Sequence, residues 1–92
     1  MNILAVDDKR INNKVIELDV EEYMEDKGID GYYFTEVGSG EESLSFIKEK
    51  HVDLIFLDIM MPRMSGLDVL KHIRATDMEQ QPLIIMVTAL ND

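Results

Sequence analysis

Ninety-two residues with 46% hydrophobic and 30% charged side chains make one folded domain, at the small end for a sheet covered by helices on both faces. A net charge of −10 excludes direct binding to nucleic-acid phosphates, which needs clustered Lys and Arg, and adsorption to anionic membrane. With no cysteine, disulfides and thiolate metal sites are excluded. The apolar start at Ile3 is broken by Asp7, too short for a signal peptide or membrane span, so the expected location is the cytoplasm.

Ile3-Leu4-Ala5-Val6 reads as a short buried strand that ends in two acids, Asp7 and Asp8. One Asp there is equally well a helix cap; two in succession ask for more. From about Ile11 to Lys27 the chain reads as one helix, with apolar residues at Ile11, Val15, Leu18 and again at Ile16, Val20, Tyr23, Met24. That breadth predicts neighbours on more than one side. Gly28 suits the residue after its C-terminus, and Glu21, Glu22, Glu25 and Asp26 read as a solvated face.

Tyr32 to Val37 is aromatic and β-branched, hence a strand, and Thr35 and Glu36 make it polar enough for a sheet edge. Ser39 and Glu42 have capping-box spacing ahead of a helix that ends near Lys50 and has Leu44, Phe46 and Ile47 on its apolar side. Gly38-Ser39-Gly40 also supplies most of a dinucleotide-binding turn. Its third glycine is replaced by Ser43, and it follows the second strand rather than the first, so nucleotide binding is the weaker alternative. His51 and His72 read as exposed residues near helix ends, and neither has a second histidine at ligand spacing.

The stretch that organises the chain is Leu54-Ile55-Phe56-Leu57-Asp58, continued by Met60-Met61-Pro62 and Ser65-Gly66. Four apolar residues in a row fit a strand buried on both faces. A carboxylate where the run stops lies at the strand's carboxyl end, where open α/β sheets keep their ligand sites. Pro62 separates strand from helix, and Ser65 with Asp68 reads as a capping box opening a helix whose apolar face is Leu67, Val69, Leu70 and Ile73. Thr76 to Gln81 is a polar connection. Leu83 to Val87 is the last buried strand, ending at Thr88.

Four strands alternating with three helices predict an α/β fold with a parallel sheet. Right-handed crossovers place the first strand beside the third, with the second outside the first. Asp7, Asp8 and Asp58 then converge, and three carboxylates a few Å apart repel by about 3 kcal/mol per pair at an effective dielectric near 20. A divalent cation reverses that sign, and an all-oxygen site suits Mg²⁺. A carboxylate so placed can also act as a nucleophile toward phosphorus. Thr88 offers a hydroxyl to a phosphoryl oxygen, or is simply a β-branched residue ending a strand.

The set Asp7-Asp8, Asp58-x-x-Met61-Pro62-x-x-x-Gly66 and Thr88-Ala89 resembles the receiver domain of two-component response regulators, over the whole length of the chain. The resemblance implies a flavodoxin-like, doubly wound parallel sheet of strand order 2-1-3-4. It implies that Asp58 accepts a phosphoryl group from a histidine kinase and switches signalling output, with no enzyme activity beyond its own phosphorylation and dephosphorylation. It further implies that Asp8 and Asp58 bind Mg²⁺, that Asp7 acts through water, that the Met60 carbonyl completes the site, and that Thr88 is the switch hydroxyl. Gly66 would allow close packing at the helix start.

Receivers of this kind continue through a further helix, a fifth strand with a phosphate-binding lysine, and a fifth helix. The expectation is therefore a receiver incomplete at its C-terminus, residues 1–92, with only Lys9 as a remote substitute for the lysine. Such a chain should self-associate through the Leu83 to Thr88 strand or be completed by residues outside this sequence. The chief alternative is a receiver fragment that serves only as an interaction or assembly module.

Overall fold

The computed structural model describes residues 1–87. Strands and helices alternate as β1 (Asn2–Val6), α1 (Arg10–Lys27), β2 (Tyr33–Val37), α2 (Gly40–Glu49), β3 (Leu54–Asp58), α3 (Gly66–Ala75) and β4 (Leu83–Val87). All neighbouring strands are parallel, in the order β2-β1-β3-β4. The polar strand β2 is at an edge, as its composition predicts.

The register aligns Leu4 with Thr35 and Ile55, and Ile55 in turn with Ile84. Because side chains alternate across a strand, Leu4, Val6, Ile55, Leu57, Ile84 and Met86 share one face. There α2 and α3 cover them with Leu44, Ile47, Val69, Leu70 and Ile73. This is the closed half of the molecule: Leu4, Ile55, Leu57 and Val69 have no exposed surface, and each such side chain contributes about 1.5–3 kcal/mol of burial. Gly40, at the start of α2, makes this layer tight. A Cβ there would stand 2.8 Å from Val69 Cγ2 and 3.0 Å from the Met64 side chain, so packing accounts for a glycine that also fitted a nucleotide-binding turn.

The opposite face receives α1 alone among the described helices. Ile16, Val20, Tyr23 and Met24 lie over Ile3, Leu54, Phe56 and Ile85, leaving an apolar groove of about 410 Å³ between helix and sheet. Two sequence expectations are corrected here. The apolar residues Ile11, Val15 and Leu18 on α1 are exposed rather than packed on a second side, because one stripe of the helix suffices to seat it on the sheet. Leu67 likewise points outward, leaving Val69, Leu70 and Ile73 to face the core. The strand β4 is an apolar edge among the described strands, as expected: Leu83 is 65% and Ile85 42% exposed.

The helix ends follow local chemistry. Gly28 takes the left-handed conformation (φ 67°), and the N–H groups of Gly28 and Ile29 return to the carbonyls of Glu25 and Met24. Ser65 and Asp68 form the full reciprocal capping box. At Ser39 the hydroxyl accepts from the Glu42 N–H at 3.1 Å, but the Glu42 carboxylate faces the Ser39 hydroxyl rather than its backbone N–H, so only half of that box forms.

Candidate functional site

Parallel pairing of β1 with β3 sets Val6 beside Leu57, so the acids that follow these residues emerge at the same end of the sheet. One carboxylate oxygen from each of Asp7, Asp8 and Asp58 lies within 4.8 Å of the others. Asp7 and Asp58 are buried, each 4% exposed, whereas Asp8 is open to solvent. Among the described residues none of the three forms an ion pair with a Lys or Arg.

The loop after β3 holds Asp58 in place. Its Oδ1 accepts from the Met60 N–H at 3.2 Å, the Ile59 N–H donates to the Val87 carbonyl at 3.1 Å, and the Gly66 N–H donates to the Ile59 carbonyl at 3.0 Å. This last bond folds the loop back so that the first turn of α3 touches the end of β3. A Cβ on Gly66 would overlap the Asp58 carbonyl oxygen and come 2.9 Å from Ile59 Cα, which is the close approach expected of this glycine. Arg63 adopts a left-handed φ of 66° at the turn, a conformation that non-glycine residues reach at a cost of about 1–2 kcal/mol.

Burial raises the Asp58 pKa above the ordinary carboxylate value; the charges of Asp7 and Asp8 push it further up, and the Met60 N–H and Lys9 oppose the rise. Three carboxylate oxygens with a deficit of positive charge form a donor set that fits a hard divalent cation such as Mg²⁺ and does not fit a softer metal, which would call for nitrogen or sulfur.

Of the residues singled out from sequence, Asp7, Asp8, Asp58 and the Met60 backbone are brought together. Thr88 lies outside the described residues. The exposed Lys9 side chain makes no ion pair to the acids among the described residues and acts on Asp58 only through its charge, while its backbone N–H donates to Asp7 Oδ1 at 2.9 Å. His51 and His72 are exposed and away from the cluster; His51 instead bonds Asp53, whose other oxygen accepts from the Asn2 N–H. Sequence reasoning overlooked Asn12 and Asn13, which bond Asp7. The available signal was helical spacing: Asn13 falls on the inward stripe of Ile16, Val20 and Met24, where a polar residue is out of place.

Residues 3–92 match the family model of the response regulator receiver domain. The chain belongs to this family. As a receiver domain it is similar to the transcriptional regulatory protein AfsQ1 of Streptomyces coelicolor, 44% identical over 62 residues that cover 67% of this chain and 26% of that protein. It also resembles the solved response regulator TrrA of Thermotoga maritima in complex with Mg²⁺ and beryllium fluoride. The two are 32% identical, with a TM-score of 0.79 over 97% of this receiver and 70% of that chain. A complex of the histidine kinase ThkA with TrrA gives a TM-score of 0.77 at 32% identity, covering 99% of this receiver and 71% of that chain. The receiver spans a quarter to a third of the length of the curated relatives it matches, 26% to 34%. No described helix is long and apolar enough to cross a membrane.

Proposed function

We propose that residues 1–92 act as a receiver unit in which Asp58 is the phosphoacceptor for a histidine kinase in the cytoplasm. The observation that supports this most directly is the convergence of three acids, two of them buried, around the end of β3 with no ion pair to Lys or Arg among the described residues. Asp8 and Asp58, with the Met60 carbonyl and with Asp7 through water, are the residues that would hold Mg²⁺. When bound, Mg²⁺ supplies positive charge against that gathering on the transferred phosphoryl oxygens. The protein's own part is to present one Asp58 oxygen to phosphorus while the Met60 N–H holds the other side of the carboxylate. A P–O bond forms as the P–N bond to the donor imidazole breaks, and the leaving nitrogen takes a proton. Thr88 is assigned the hydroxyl that meets the phosphoryl group.

The structural kinship with a protein that pairs with a histidine kinase supports that class of donor. A low-molecular-weight phosphodonor with Mg²⁺ tests the assignment: intact mass is expected to rise by one phosphoryl group, in a hydroxylamine-labile bond, and Asp58→Asn is expected to abolish it. Label that survives in Asp58→Asn would remove Asp58 from this role. A chain that folds and binds Mg²⁺ but takes no phosphoryl group would point instead to an interaction module.

We also propose that the edge of β4, open among the described strands, is covered by a second copy of the chain or by residues outside this sequence, supported by the exposure of Leu83 and Ile85. Sedimentation of the chain at micromolar concentration is expected to show a dimer weakened by Ile85→Lys. A compact monomer would dismiss this partner.

A further inference from the structure

Asp7 is tied down at every polar atom. Its N–H donates to the Val37 carbonyl at 3.2 Å, and its own carbonyl accepts from Asn13 Nδ2 at 3.2 Å. Its Oδ1 accepts from the Lys9 N–H at 2.9 Å and its Oδ2 from Asn12 Nδ2 at 3.1 Å. The second N–H of the Asn13 amide reaches the Val37 carbonyl at 3.1 Å, so a single side chain spans the carboxyl ends of β1 and β2. By contrast, Asp58 accepts one hydrogen bond onto its carboxylate among the described residues, from Met60.

Asn13 is 2% exposed, and its Oδ1 has no hydrogen-bond partner among the described residues. Leaving a buried carbonyl oxygen unpaired is costly. Exchanging the oxygen and nitrogen of the amide gives no relief, because Oδ1 would then face two carbonyls. Packing alone would be served better by Leu at this place on the stripe of Ile16, Val20 and Met24. What Asn13 offers and Leu does not is a pair of donors aimed at the strand ends.

We propose that Asn12 and Asn13 are a positioning pair for the divalent-cation site: Asn13 locks the strand end that bears Asp7, and Asn12 fixes the orientation of its carboxylate. Neither touches the cation; both act through Asp7. Hydrogen bonds onto a carboxylate slightly lower its basicity, but they also remove the rotamer freedom that a cation would otherwise have to arrest, and outer partners of this sort typically raise metal affinity. The inference rests on the assignment of Asp7, Asp8 and Asp58 as a Mg²⁺ site.

Calorimetric titration of Mg²⁺ into the chain, with circular dichroism as a check of folding, tests it. Asn12→Leu keeps the side-chain size, removes the donor and lies at a half-exposed position, so the fold should persist while Kd rises about tenfold. Asn13→Leu should weaken binding similarly; if it fails to fold, Asn12→Leu still decides. Val15→Ala, on the exposed face of the same helix, is expected to leave Kd unchanged. Equal affinity in the parent and Asn12→Leu would overturn the positioning role and leave the cation site standing. Equal weakening by Val15→Ala would overturn it too, as a general effect of loosening α1. A parent that binds no Mg²⁺ would overturn both the site and the pair.

Discussion

Gly66→Ala is expected to destabilise the chain by about 3 kcal/mol or more, at the upper end of overpacking effects. The methyl group would overlap the Asp58 carbonyl oxygen and stand 2.9 Å from both the Asp58 carbonyl carbon and Ile59 Cα. All three are backbone atoms, so no rotamer change makes room. The Gly66 N–H is bonded to the Ile59 carbonyl, which prevents α3 from simply sliding away. Relief therefore requires the end of β3 and the start of α3 to part, displacing the carboxylate on which the site depends. For a domain of this size the thermal midpoint should fall by roughly 12 to 24 °C, and Mg²⁺ binding should weaken with it. A midpoint within about 2 °C of the parent would show that the approach is not as close as described.

Asp58→Asn is expected to act in the opposite sense and stabilise the chain when no divalent cation is present. Two charges about 5 Å apart repel by about 3 kcal/mol at an effective dielectric near 20, and one oxygen from each of the three acids lies within 4.8 Å of the others. Asp8 is exposed and screened, so a net gain of about 1–2 kcal/mol is the better expectation. The pH dependence follows from the raised Asp58 pKa, which burial causes first and Asp7 and Asp8 reinforce. The folded state holds this proton more tightly than the unfolded state. Ionisation therefore costs stability as pH rises from the ordinary carboxylate value through the raised one, and the full cost is present above that window.

The gap between Asp58→Asn and the parent should accordingly be widest near neutral pH and close as pH falls through the same window. Asp53 and Asp68 are shifted downward, by the Asn2 and Ser65 N–H groups respectively. Their stabilising contributions are lost on acidification in both proteins and cancel in the difference. Saturating Mg²⁺ should reverse the order, because the parent gains binding energy that the neutral variant largely forgoes. Thermal melts across pH, with and without Mg²⁺, give the comparison. An Asn variant less stable than the parent at neutral pH without cation would dispose of the electrostatic account.

Much of the fold was legible because the relevant signals are local. Apolar runs ending at Val6, Leu57 and Val87, the capping spacing of Ser65 and Asp68, and Gly28 after the first helix each state their own geometry. Handedness then supplies the strand order. What the sequence did not disclose are pairings between elements. Asn13 bonds carbonyls on two strands, and nothing at position 13 alone announces that Asp7 and Val37 will end side by side. The outward position of Leu67 was missed for a related reason. An apolar stripe records what a helix can bury, whereas coverage depends on how the helix is rolled against the sheet. The convergence of the three acids was within reach only because they stand at the ends of two strands whose adjacency topology dictates.

One of the two inner strands of the sheet, β1, is also the first of its strands in the chain, and this bears on how the molecule is made. β1 finds its partners in residues 33–37 and 54–57, so during synthesis Ile3, Leu4, Ala5 and Val6 are made well before either neighbour. Parallel pairing across such separations is slow to form, because loop closure must precede any reward from contact. Until β2 arrives the nascent chain offers an apolar strand with two open edges, and until β3 arrives one edge stays open, a natural client for a holding chaperone.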